Sequence, residues 1–265
     1  MAYVEWGDPD NDRVLLCVHG LTRNGRDFDV LASTLAGDYR VVCPDVAGRG
    51  HSDRLANPVR YGVPQYVADM VTLIARLGVE QVDWLGTSMG GLIGMALAAL
   101  PGAPIRKLVL NDVGPLVTAT ALRRIGSYVG RGERFPDLAA AEAYLRRIHA
   151  PFGALSDSQW RHLAEYSFRH EGHDYVFAYD PAIGNALRDP AALVDINLWP
   201  VYDAIRATTL VVRGAESDLL TAETLKEMAT RGPRAQTLEI PGVGHAPTFM
   251  SPDQIGPLRN FLLAG

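Results

Sequence analysis

Six short apolar runs punctuate the chain, and turn residues bound them. They are Arg13–Gly20, Tyr39–Asp45, Gln81–Thr87, Arg106–Asp112, Thr208–Gly214 and Ala235–Gly242. Continuous apolar runs of this length fit strands buried on both faces. Helix-length segments lie between most of them: Gly25–Ala36, Pro64–Leu77, Ser88–Leu100, Ala222–Thr230 and Pro252–Leu263. Alternating strand and helix predicts an α/β fold, with a mostly parallel central sheet and helices on both faces.

From Pro115 to about Trp199 the alternation stops, and no buried strand is evident. Leu138–Phe152 places Ala141, Tyr144, Leu145 and Ile148 at helical spacing, and Asp157–Phe168 does the same with Trp160, Leu163, Ala164 and Phe168. The stretch is too long for a loop. It reads as a helical cap, residues 115–199, inserted into a core formed by residues 1–114 and 200–265.

Composition narrows the classes. The formal net charge is -5 and no basic run occurs, which argues against nucleic-acid binding. The most apolar window, Leu92–Leu100, is far short of the roughly 20 residues a membrane span needs. The opening residues lack the basic start and apolar stretch of a signal peptide. Cys17 and Cys43, each in a strand-like run, read as buried free thiols. The expectation is a cytoplasmic chain, a monomer or small homo-oligomer, with neither a nucleic-acid nor a membrane partner.

The chemistry is concentrated in Gly86-Thr-Ser-Met-Gly90, which follows a run and opens a helix. In that context G-x-S-x-G makes a sharp strand-to-helix turn with serine at its tip. Gly86 and Gly90 give clearance where a Cβ would clash. A glycine-rich turn capped by serine would look similar in isolation. A serine nucleophile also needs a base in reach and an acid to orient that base. Both are expected at the carboxyl ends of other strands. His245 follows the last run. Asp218 follows the one before and is the expected acid, with Glu216 two residues away and Asp112, at the end of Arg106–Asp112, as a competitor. Asp112 has the other reading of tying down the entrance to the cap.

An oxyanion hole completes the set, with backbone N–H groups from Met89 and from the loop after the first run, where Leu21 is the candidate. His19 reads as shaping that loop. Arg23 either binds an acidic substrate group or packs the loop. Cap aromatics are mostly cap core, with a few lining an apolar pocket; Trp160 is the candidate among them. His170 and His173 are three apart, compatible with one face of a solvated helix end, but no carboxylate cluster completes a metal site. Neither a metal nor a cofactor is expected.

These motifs carry a resemblance. The chain resembles the α/β-hydrolase superfamily, in its cap-bearing branch of small esterases, lactonases and carbon–carbon bond hydrolases. The resemblance rests on His19–Gly20, Pro44–Asp53, Gly86–Gly91, Arg213–Leu220 and Gly242–Pro247, in order along nearly the whole chain. It implies that Gly48–Ser52 turns the chain beside the site. The short N-terminus leaves little room for the family's opening hairpin, and Ala246-Pro247 stands where many relatives carry a bulkier residue. The implied activity is hydrolysis of small carboxylic esters by Ser88, His245 and Asp218 through an acyl-enzyme. Alternatives are cleavage of a lactone, an amide or a carbon–carbon bond, acyl transfer or perhydrolysis, or a binding protein on the same scaffold. The partner is a small acyl substrate.

Overall fold

Each of the six apolar runs forms a strand. The computed structural model describes residues 1–264. In chain order the strands of the first half are β1 (Tyr3–Trp6), β2 (Val14–Val18), β3 (Arg40–Pro44), β4 (Val82–Thr87) and β5 (Ile105–Asn111), with helices α1 (Asp29–Leu35), α2 (Val63–Leu77) and α3 (Met89–Ala98) between them. A long excursion follows. It holds β6 (Leu116–Val117), α4 (Ala119–Gly126), β7 (Arg134–Phe135), α5 (Leu138–Ile148), α6 (Asp157–Ser167), β8 (Phe168–Glu171), β9 (Asp174–Phe177) and β10 (Ile196–Asn197). The chain then returns through α7 (Trp199–Asp203), β11 (Thr208–Gly214), α8 (Ala222–Met228), β12 (Gln236–Ile240) and α9 (Pro252–Leu263).

The main sheet has the order β1-β3-β2-β4-β5-β11-β12. Every neighbouring pair is parallel except β1 with β3. β1 pairs with β3 and not with β2. Alternate residues of a strand face opposite ways, and here both faces are covered. Leu16, Val18, Trp84, Leu108 and Leu110 pack on one side with residues of α2 and α3. Leu15, Cys17, Leu85, Val109 and Val212 pack on the other with residues of α1 and α9. Cys17 and Cys43 are both buried free thiols on neighbouring strands. Burial, with Cys17 beside it, pushes the Cys43 thiol up.

The excursion has a core of its own, including Phe135, Leu145, Trp160, Leu163, Phe168 and Phe177. Its helices begin where side chains satisfy free N–H groups. Thr118, Asp137 and Ser156 accept from the backbone of Ala121, Ala140 and Gln159, and Gln159 returns the bond to Ser156. The expectation of an all-helical segment is corrected by two small sheets. β6 pairs with β10 where the excursion leaves and rejoins the core. β7, β9 and β8 form a second sheet, with His170 on β8 and His173 between β8 and β9. The two histidines therefore belong to a hairpin that turns through Gly172 (φ 67°), and not to a helical face. β8 and β9 are largely exposed or half-buried, which is why they left no apolar run to read.

Several tethers hold the excursion against the carboxyl ends of the main strands. Asn24 Nδ2 donates to Tyr166 O (2.7 Å), Gly50 N–H donates to Ala178 O (2.7 Å), and Asp180 N–H donates to Gly48 O (2.7 Å).

Candidate active site

Ser88 stands between β4 and α3 with φ 51° and ψ -112°. Little but a crowded turn holds a non-glycine residue there. The crowding is measurable at its neighbours. A Cβ on Gly86 would lie 2.2 Å from Gly90 O, and one on Gly90 would lie 2.0 Å from Val18 O. The Ser88 N–H donates to Asn111 O (2.9 Å), fixing the turn to the end of β5.

His245 comes from the loop after β12. Its Nε2 is 3.0 Å from Ser88 Oγ, so the hydroxyl can donate to it. Asn111 Nδ2 donates to Pro247 O (2.8 Å) and so clamps this loop to β5. The acid behind the histidine is Asp112: His245 Nδ1 lies 2.7 Å from Asp112 Oδ2. Asp112 has φ 54°, and this backbone turn aims its side chain under the histidine. A buried carboxylate needs donors. Asp112 accepts from Gly214 N–H (2.8 Å) and Ser217 Oγ (2.6 Å) as well as from His245.

Asp218, the acid expected from the sequence, is not at the histidine. It faces solvent and pairs with Arg124 of α4 (Nε to Oδ2, 2.5 Å). Side-chain exposure separates the two acids: 0 % for Asp112 and 54 % for Asp218. The loop after β11 does contribute to the site, but through Ser217 and the Gly214 N–H and not through Asp218.

The oxyanion candidates are Leu21 and Met89. Met89 is the first residue of α3, and Leu21 lines the cavity over Ser88. His19 has a defined part in this. Its Nε2 accepts from Val46 N–H (3.0 Å), so the ring proton is on Nδ1, which donates to Gly20 O (2.7 Å). That carbonyl belongs to the same planar peptide as the Leu21 N–H, which therefore points the opposite way. Burial pushes the His19 imidazole down to about 4, keeping it in the neutral form this arrangement needs. Arg49, which sequence reading passed over, is fully buried and holds the loop from the other side. It donates to Leu21 O (2.9 Å) and to Tyr66 Oη (2.8 Å), and its Nη2 lies 3.4 Å from Met89 Sδ. Its place in Gly48–Ser52, beside the serine turn, was the available signal.

A narrow cavity of about 50 Å³ opens on Ser88 and His245. The excursion contributes Arg124, Tyr128, His149 and Phe152 to its wall. Trp160 is not in that wall. It lies one ring further out, stacked on Phe152 at 6.3 Å, while Phe152 stacks on His149 at 4.6 Å. Sequence spacing correctly put Trp160 on the buried face of its helix, but Phe152 stands between it and the serine. Arg23 lines the cavity and is locked to Asp27 through Nε (2.8 Å) and Nη2 (2.6 Å). Its Nη1 donates to Ser167 Oγ (2.5 Å) on α6, so it fastens the loop to the excursion. His149, which sequence reading also missed, is held well below the ordinary imidazole range by burial and then by the charges of Arg23, His245 and Arg124.

With fold and geometry in place, the class follows. Residues 13–252 match the family model described as alpha/beta hydrolase fold, and the chain belongs to that family. It is a hydrolase, and its relatives put it among the carboxylic ester hydrolases. It is 55 % identical over 263 residues to a 3-hydroxybutyrate-oligomer hydrolase of Cupriavidus necator, covering 96 % of this chain and 90 % of that protein. It is 27 % identical to a 2-(acetamidomethylene)succinate hydrolase of Mesorhizobium japonicum, over 94 % of this chain and 87 % of the other. The crystal structure of an alpha/beta hydrolase from Novosphingobium aromaticivorans superposes with a TM-score of 0.87 at 38 % identity, covering 98 % of this chain and 92 % of that one. Among the described residues no helix is long and apolar enough to cross a membrane.

Proposed function

We propose that this chain hydrolyses esters of short hydroxy acids through an acyl-enzyme on Ser88. The observation that carries the reading is the unbroken hydrogen-bonded series Ser88 Oγ, His245 Nε2, His245 Nδ1 and Asp112 Oδ2, at 3.0 and 2.7 Å. Such a series lets one imidazole take a proton from the serine while the carboxylate steadies the imidazolium that forms.

Ser88 Oγ attacks the ester carbonyl as His245 Nε2 takes its proton. The carbonyl oxygen becomes negative and is met by the N–H groups of Leu21 and Met89, Met89 adding the positive end of the α3 dipole. His245 then protonates the departing alcohol oxygen, which leaves with its free hydroxyl. Water, deprotonated by the same imidazole, attacks the acyl-enzyme and releases the acid. Residues 115–199 act as a cap, supplying about half of the wall that selects the acyl group and the alcohol. The substrate class is supported by the likeness to the 3-hydroxybutyrate-oligomer hydrolase.

The test is turnover of p-nitrophenyl butyrate and of linear 3-hydroxybutyrate dimer and trimer by the native chain and Ser88→Ala. Loss of the nucleophile is expected to lower kcat by about 10³-fold or more on every substrate. Undiminished turnover would end the reading.

A further inference from the structure

The wall of the cavity over Ser88 carries Arg23, Arg124, His149 and His245, and among the described residues none of its lining side chains is acidic. The chain as a whole has a net charge of -5. With no acid in the wall itself, an anion entering the cavity meets donors and no like charge. The question is which group would hold that anion, and the partners decide it.

Arg23 has all three of its guanidinium nitrogens engaged by Asp27 and Ser167. His245 has one ring nitrogen on Ser88 and the other on Asp112. His149 is buried and neutral, stacked on Phe152. Arg124 differs from all of these. Its Nε and Nη2 face Asp218 at 2.5 and 3.0 Å, and the Tyr128 hydroxyl lies beside the same guanidinium. Its side chain is 34 % exposed, at the rim where α4 meets the loop after β11. An ion pair this open to water is weak. Asp218 fixes one edge of the guanidinium, and the planar fork keeps further donors for a second acid.

We infer that Arg124 binds a free carboxylate on the substrate, so that the site takes esters with one unmasked acid end, as a short hydroxy-acid oligomer has. The inference deepens the proposed function and rests on it. The carboxylate approaches Arg124 at the rim while an ester carbonyl further along the same molecule meets Ser88. Asp218 is then a positioning residue for the guanidinium.

Binding to Ser88→Ala protein tests this without turnover. Calorimetric titration compares linear 3-hydroxybutyrate trimer, as the free acid, with its methyl ester. The free acid is expected to bind about tenfold tighter or more, the scale of a charge-assisted hydrogen bond. Adding Arg124→Gln is expected to bring the two ligands to within about twofold, and Arg124→Lys to retain part of the preference because it keeps the charge and loses the fork. Equal binding of acid and methyl ester, a preference that survives Arg124→Gln, or binding of neither ligand would overturn the inference. A fall in affinity for both ligands alike would reduce Arg124 to a latch between cap and core, and would also overturn it. The hydrolase reading fails separately, on p-nitrophenyl butyrate, which has no carboxylate for Arg124 to bind.

Discussion

Two neighbouring strands end in acids, and the two acids differ in every respect that matters. β5 leads to Asp112, which has no exposed surface and three donors on its carboxylate. β11 leads to Asp218, which is more than half exposed and has one partner, itself open to solvent. Their strands lie side by side, with Asn111 opposite Val212, so either acid starts from the same end of the sheet. A carboxylate that must orient an imidazole is useful only if it is itself immobile. Burial and donors immobilise Asp112; Asp218 is held only by one partly exposed arginine.

The largest effect is expected at Asp112. Asp112→Asn keeps the shape and removes the charge behind His245, and is expected to lower kcat/KM on p-nitrophenyl butyrate by on the order of 10⁴-fold. A loss of less than about tenfold would return the role to another acid. Next in size is the pH dependence of folding. The His19 imidazole is pushed down to about 4 from 6.5, so the unfolded chain binds a proton that the folded chain refuses. That stability is complete above pH 6.5 and is lost as pH falls toward 4, by about 3 kcal/mol for this fully buried group. His149 is shifted the same way and adds to the loss. Chemical denaturation between pH 7 and pH 4 measures it, and His19→Gln is expected to flatten the slope.

Ser217→Ala sharpens the comparison from the loop that carries Asp218. It removes a donor at 2.6 Å from buried Asp112 and is expected to cost about 1.5–3 kcal/mol in denaturant unfolding. The smallest effect belongs to Asp218→Asn. An exposed ion pair contributes about 0–1 kcal/mol, so unfolding free energy is expected to change by no more than that. Turnover of p-nitrophenyl butyrate is expected to fall no more than about threefold. A fall like that of Asp112→Asn would undo the contrast.

Much of this was legible in the sequence. The apolar runs marked the strands because a parallel sheet covered on both faces demands them. Gly86 and Gly90 marked the serine turn because no side chain fits where they stand. His245 was legible from its place after the last strand. The acid was not, because acids follow both β5 and β11. What separates them is a backbone turn at φ 54° and donors from Gly214 and Ser217, which lie about a hundred residues further along the chain. The hairpin at His170 and His173 was hidden for another reason: its strands are mostly solvated, so burial imposed no pattern on them. Trp160 was placed on the right face of α6, but spacing within one helix does not reveal that Phe152 comes between it and Ser88.

On the proposed mechanism Asp112 orients the base that activates Ser88. The rate at which a fluorophosphonate labels Ser88 tests it most directly, because it needs no knowledge of the substrate. Native chain, Asp112→Asn and Asp218→Asn are compared under one set of conditions. The account predicts labelling slowed by about 100-fold or more in Asp112→Asn and by no more than about threefold in Asp218→Asn. Slow labelling of Asp218→Asn beside native-like labelling of Asp112→Asn would contradict it.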